Sequence, residues 1–134
     1  MRKKIPVLDT NIIIRFLTAD NKLQTEKIES LFKKCDKHSL EIPDVVIMEI
    51  VYVLLSHYHL SKKDTIEKIT QLVDFDRFKV HKKLIKKTLE LFQIYNISFV
   101  DAYLCARVSI NKNESLYSFD KRLLTIKNVK VINP

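Results

Sequence analysis

The chain contains no glycine among its 134 residues. That excludes the glycine-dependent phosphate loop, the dinucleotide fingerprint and the nucleophile elbow, each of which needs a residue without Cβ for close backbone approach or a strained turn. Cysteine is scarce. Cys35 and Cys105 are the only two, Cys105 among apolar neighbours and Cys35 at helical spacing from Ile28, Leu31 and Phe32, and they read as reduced core thiols. With four scattered histidines they give no zinc spacing. His57 and His59 are two apart and point in different directions on a helix. Long apolar runs are missing too. The longest, 45–55, is too short to cross a bilayer and contains Glu49. The start MRKK followed by apolar residues mimics a signal peptide, but Asp9, Thr10 and Asn11 break it and no small-residue cleavage site follows. The expected location is cytoplasmic, with no membrane contact. There is no repeat and no Pro/Ser linker, so residues 1–134 read as a single domain.

What is present is apolar and basic. A hydrophobic content of 46% suits a globular domain with a sizeable core. Lys and Arg total 24 against 16 acids, a formal charge of +8. That balance favours a polyanionic partner, nucleic acid before anionic membrane.

Short apolar strands alternate with amphipathic helices. Strands are expected at 5–8, 40–42, 77–81, 115–119 and 129–132. Helices are expected from 12, with Thr10 or Asn11 near the N-cap, and over 22–38. Asp44 is expected to cap a third, which is apolar nearly all round and so should be buried. A fourth follows Ser61, whose spacing to Asp64 is that of a capping box. Others run over 82–95 and from Ser98 to about Ile110, with a short turn at 121–124. This alternation indicates an α/β domain with a mainly parallel sheet.

Four acids lie in apolar context: Asp9, Glu49, Asp101 and Asp120. Asp9 and Asp120 each follow a strand, and ligand chemistry in parallel sheets collects beyond the carboxyl ends of strands. Asp101 falls in the first turn of a helix and Glu49 one turn into another. Converging carboxylates repel and call for a cation. Oxygen-only ligands select Mg²⁺ or Mn²⁺. A basic chain holding such a metal suggests phosphodiester hydrolysis. Each acid also has a structural reading. Asp9 can cap a helix, Asp101 has capping-box spacing from Ser98, and Asp120 can be a turn residue. Glu49 is harder to explain that way, because Val45, Val46, Tyr52 and Val53 surround it at helical spacing.

The stretches VLDTNIIIRFL, IPDVVIMEIVYVL, ISFVDAYLCARV and LYSFDKRL resemble, in this order, the four acidic segments of a PIN domain, specifically of the VapC-type toxin–antitoxin ribonucleases. The resemblance spans 7–124. It implies an α/β/α sandwich with a mainly parallel central sheet flanked by helices. It implies an endoribonuclease that uses one or two Mg²⁺ or Mn²⁺ ions and leaves 5′-phosphate and 3′-hydroxyl ends. It makes Asp9, Glu49 and Asp101 the main metal-binding acids and Asp120 the more variable fourth. Asn11 and Thr10 match residues that order the site, and Ser118 matches a hydroxyl residue two positions before the fourth acid. Arg15 matches a position often basic in the family and is either an RNA contact or a surface arginine lying over apolar neighbours. Lys82, Lys83, Lys86, Lys87, Lys121 and Arg122 are further candidates for RNA contact, or simply a solvated charged face. The family often carries glycine after the first helix, where this chain reads LTADN. Expected partners are RNA, a small antitoxin protein and a second copy of the chain. Two other readings stay open: a PIN nuclease of RNA processing without an antitoxin, and a non-catalytic RNA-binding module.

Overall fold

The computed structural model describes residues 4–134; residues 1–3 of the basic N-terminal stretch lie outside them. The backbone divides into two compact units, residues 1–81 and 82–134.

In the first unit, helix α1 (Thr10–Thr18) begins where Asp9 turns out of extended geometry, and Asp9, one of the three candidate caps, is its N-cap. Helix α2 (Lys22–Lys34) buries Thr25, Ile28 and Phe32, one stripe at three- and four-residue spacing. It stops four residues short of the expected end. Cys35 is extended, and His38 takes a left-handed φ of 54° that turns the chain toward the next strand. Strand β1 (Leu40–Glu41) pairs in parallel with β2 (Phe78–Lys79). Between them run α3 (Asp44–Ser56) and α4 (Lys62–Asp74). Ser61 caps α4 by accepting from the Asp64 N–H, as its spacing predicts. Phe16, Phe32, Phe75 and Phe78 cluster with ring centroids from 4.9 to 6.3 Å apart. Edge-on and tilted rings of this kind form a specific packing centre.

Three expectations need correction here. Residues 5–8 do not form a buried strand; Val7 makes one isolated parallel bridge to Glu41, and both Ile5 and Val7 are exposed. Pro6 has no N–H to extend the ladder. Asp44 does not cap α3 with its side chain; Pro43 holds the cap position and Asp44 accepts instead from His81 Nδ1 at 3.0 Å. Nor is α3 buried all round. Ile47, Ile50, Val51 and Leu54 are buried, whereas Val45 and Tyr52 are each 71% exposed.

The second unit joins α5 (Lys82–Ile94) to α6 (Phe99–Ile110), with Phe92 and Phe99 in edge-on contact at 5.4 Å. Strands β3 (Leu116–Tyr117) and β4 (Val131–Ile132) pair in parallel around a one-turn helix at Leu123–Thr125. Among the described residues the chain thus has six α-helices and four short strands, all paired in parallel as expected. The ladders are two-stranded, one in each unit.

Without glycine, left-handed turns fall to other residues. Ala19, His38, His59 and Asn128 have φ of 52°, 54°, 53° and 64°. Ala19 is the C-cap of α1, where its N–H donates to the Arg15 carbonyl.

Candidate functional site

The first unit brings two of the predicted acid segments together. Asp9 is exposed, and its Oδ1 accepts from the Ile12 N–H at 3.0 Å. The next residue reaches across the fold: Thr10 Oγ1 donates to Glu49 Oε2 at 2.9 Å, joining positions 39 apart in sequence. Glu49 is exposed, on the outward face of α3 with Val45 and Tyr52. The buried, uncompensated charge suggested by its neighbours does not arise, because the apolar residues around it are themselves turned to solvent. Asn11 is exposed on the first turn of α1.

Arg15 lies one turn further along α1 and is tied down. Its Nε donates to Gln24 Oε1 at 2.9 Å and its Nη1 to Asp20 Oδ1 at 2.8 Å. Tyr58 donates its hydroxyl to the other Asp20 oxygen at 2.9 Å. The Arg15 guanidinium, then the Tyr58 hydroxyl, hold the Asp20 carboxyl below the usual carboxylate range. Beside this network an open cleft of about 240 Å³ runs between α1 and α2, and Asp9 and Arg15 are both in its lining.

The second unit carries the other two acids. Asp101 is half-buried in the first turn of α6, and its N–H donates to the Ser98 hydroxyl at 3.1 Å. The capping reading of Ser98 therefore holds, and it leaves the Asp101 carboxylate available. Burial, and then the Asp101 charge one turn away, push the Cys105 thiol up to about 11. Cys105 is buried and free, as expected; Cys35 is free and half-exposed.

Asp120 is held from both sides. The Ser118 hydroxyl accepts from its N–H at 3.0 Å. Its carboxylate accepts from the Arg122 N–H at 2.9 Å, from Nε at 3.1 and 3.2 Å, and from Nη2 at 2.7 Å. Arg122 Nη1 donates further to the Asn96 carbonyl at 3.3 Å. The Arg122 guanidinium holds the Asp120 carboxyl below its ordinary range. Arg122 is in turn raised, by Asp120 first and with a smaller contribution from the charge of Asp101. Arg122, a candidate for RNA contact or a solvated charge by its sequence, is paired with Asp120 in the fold.

Of the lysines, Lys82, Lys83, Lys86 and Lys121 are exposed, and Lys87 is half-buried and pairs with Glu90 at 3.5 Å. Two acids thus lie in each unit, Glu49 bonded to the neighbour of Asp9 in the first, and Asp101 and Asp120 both acting on Arg122 in the second. Among the described residues no three Asp, Glu, His or Cys side chains form a metal-holding group. The donor chemistry nonetheless fits a hard cation. All four acids offer carboxylate oxygens, and Mg²⁺ is commonly held by one or two carboxylates with water completing its shell. Lys27 and Gln24, which share the cleft with Asp9, escaped the sequence reading. Nothing in the sequence marks them, because the cleft exists only once α1 packs on α2.

The PIN domain family model matches residues 7–129. A VapC ribonuclease from Aquifex aeolicus (strain VF5) is 25% identical over 131 residues, covering 96% of each chain. Among solved structures, a toxin–antitoxin complex from Klebsiella pneumoniae is similar over 96% of each chain, with 18% identity and a TM-score of 0.34. VapBC2 from Rickettsia felis, bound to a DNA fragment from their promoter, is similar over 97% of this chain and 98% of its own, with 18% identity and a TM-score of 0.40.

Proposed function

The chain belongs to the PIN domain family, and from that premise we propose that it is a metal-dependent endoribonuclease of the VapC type. One observation carries the reading most directly. Thr10, the residue after Asp9, donates to Glu49, so two acid segments far apart in sequence meet through a side-chain hydrogen bond.

In this reading Asp9, Glu49, Asp101 and Asp120 are the catalytic carboxylates and the metal ligands. A bound Mg²⁺ or Mn²⁺ supplies a water of lowered pKa and neutralises charge on the phosphate. The protein supplies orientation. The helix cap fixes Asp9, Thr10 fixes the Glu49 rotamer, and Ser118 fixes the backbone at Asp120. Asn11, on the first turn of α1, lines the same cleft as Asp9 and in this reading helps order the site. Such supporting hydrogen bonds typically matter about 10- to 100-fold in metal affinity or activity. With four acids in the site, 24 basic residues face 12 remaining acids, a field suited to an RNA backbone. Lys82, Lys83, Lys86, Lys87 and Lys121 contribute to that field.

The reading extends to a single functional domain made of both units, a homodimer, a cytoplasmic location and inhibition by a small antitoxin. These rest on the resemblance to VapC-type ribonucleases. No described helix is long and apolar enough to cross a membrane.

The test is RNA cleavage with and without Mg²⁺ or Mn²⁺ by the wild type, Asp9→Asn and Asp101→Asn. Both variants should lose metal-dependent cleavage by about 100-fold or more while melting no lower than wild type without metal. Cleavage that survives Asp9→Asn, or never appears with Mn²⁺, overturns the nuclease reading in favour of an RNA-binding module. Activity that no co-expressed small neighbour protein suppresses favours an RNA-processing nuclease.

A further inference from the structure

The cleft between α1 and α2 borders the carboxylate site through Asp9 and Asn11 and also contains groups that the site leaves unused. Asp9 and Asn11 contribute to its lining, and Lys27 enters from α2. Ile12 and Ile28 add apolar surface. Arg15 forms part of the wall, where Asp20 already answers its charge. Lys27 is exposed and has no ion pair among the described residues.

We propose that this cleft seats the nucleotide of single-stranded RNA next to the scissile bond, with Lys27 binding its phosphate. The proposal rests on Asp9 belonging to the catalytic site. If Asp9 acts at one phosphate, the adjoining nucleotide of the same strand must occupy the surface that Asp9 borders, and this cleft is such a surface. Its chemistry suits the occupant. The free ammonium of Lys27 is a point charge for a phosphate. The Asn11 amide offers both a donor and an acceptor to a base edge or a ribose hydroxyl. The isoleucine surface accepts the flat, apolar face of a base or sugar. A volume of about 240 Å³ admits one such unit and no folded element. The Arg15–Asp20–Tyr58 network holds the wall in place before RNA arrives, which lowers the ordering cost of binding. RNA recognition of this kind falls on unpaired strands, whose bases are free to splay outward.

The experiment uses the full chain without divalent metal and a labelled single-stranded oligoribonucleotide, with anisotropy measured across a salt series. Lys27→Ala should weaken binding about three- to tenfold and reduce the log–log salt slope by about 0.7, the signature of one lost phosphate contact on a single strand. Lys27→Arg should keep both. With metal present, Lys27→Ala should raise KM and leave kcat within about twofold, the pattern of lost uniform binding. Lys63→Ala, an exposed lysine on α4 outside the cleft, should change nothing. Wild-type affinity and slope in Lys27→Ala overturn the proposal. So does an equal loss in Lys63→Ala, which would reduce the effect to diffuse charge. Asp9→Asn separates the two questions: if it still cleaves RNA, the catalytic reading fails, whereas the metal-free slope judges the cleft on its own.

Discussion

Asp9 shows how one carboxylate serves folding and chemistry together. Its Oδ1 caps α1 through the Ile12 N–H, and asparagine caps about as well as aspartate. Asp9→Asn therefore removes charge and spares the cap, whereas Asp9→Ala removes both. We expect Asp9→Asn to unfold in urea with wild-type stability, and Asp9→Ala to be about 1 kcal/mol less stable. The sequence offered Asp9, Thr10 and Asn11 as caps, because all three residue types are competent and only backbone geometry chooses among them; the fold takes Asp9. Asp120 poses a different question. Arg122 already occupies both of its oxygens, so a divalent ion at Asp120 competes with a guanidinium. Arg122→Gln should bind Mn²⁺ about three- to fivefold more tightly in calorimetry, the scale of an exposed ion pair removed from competition. The same pair sets a pH dependence. The Asp120 pKa is lowered in the fold, mainly by the Arg122 side chain. Its contribution is therefore complete above the ordinary carboxylate pKa of about 4 and is lost as pH falls through the lowered value. Melting curves of wild type and Arg122→Gln should differ at pH 7 and converge in strong acid.

At the scale of elements, local signals were legible and distant ones were not. Ser61 and Ser98 cap α4 and α6 through the third residue beyond, Asp64 and Asp101, just as their spacing predicts. Such caps are written within four residues. Ser98→Ala should cost about 1 kcal/mol, read as a shift in the urea midpoint. Strand length is set by pairing partners elsewhere in the chain. Residues 5–8 look like a strand, yet they make a single bridge to Glu41. The burial of α3 misled for a related reason. Its apolar residues exceed the partner surface available, and Val45 and Tyr52 are left outside with Glu49. Thr65 on α4 is the reverse case. It is 1% exposed, and its Oγ1 is buried with no hydrogen-bond partner among the described residues. Thr65→Val keeps the shape and removes the orphan hydroxyl, so it should raise stability by about 1 kcal/mol in denaturant unfolding.

For the whole molecule, the order of the four acid segments was readable because order is one-dimensional. The links between them were not. Neither the Thr10–Glu49 bond nor the Arg122 fork on Asp120 has a sequence signature. The net charge of +8 was readable and has a consequence of its own. If about five phosphates are contacted, raising salt from roughly 50 to 200 mM should weaken RNA binding about 100-fold in a filter or anisotropy assay. A salt-independent affinity would show that charge does not drive association. The absent glycine returns last, at Ala19. At this point just after the first helix alanine takes a φ of 52°. An L-residue held there is strained by roughly 1–2 kcal/mol. A chain without glycine also has a stiffer denatured ensemble, and restoring one glycine would give about 0.4–1 kcal/mol of that freedom back to the unfolded side. The strain is the larger of the two, so Ala19→Gly should raise stability by about 0.5–1 kcal/mol in denaturant unfolding. A fold closed without glycine thus gives up part of its stability at the one turn where alanine must be left-handed.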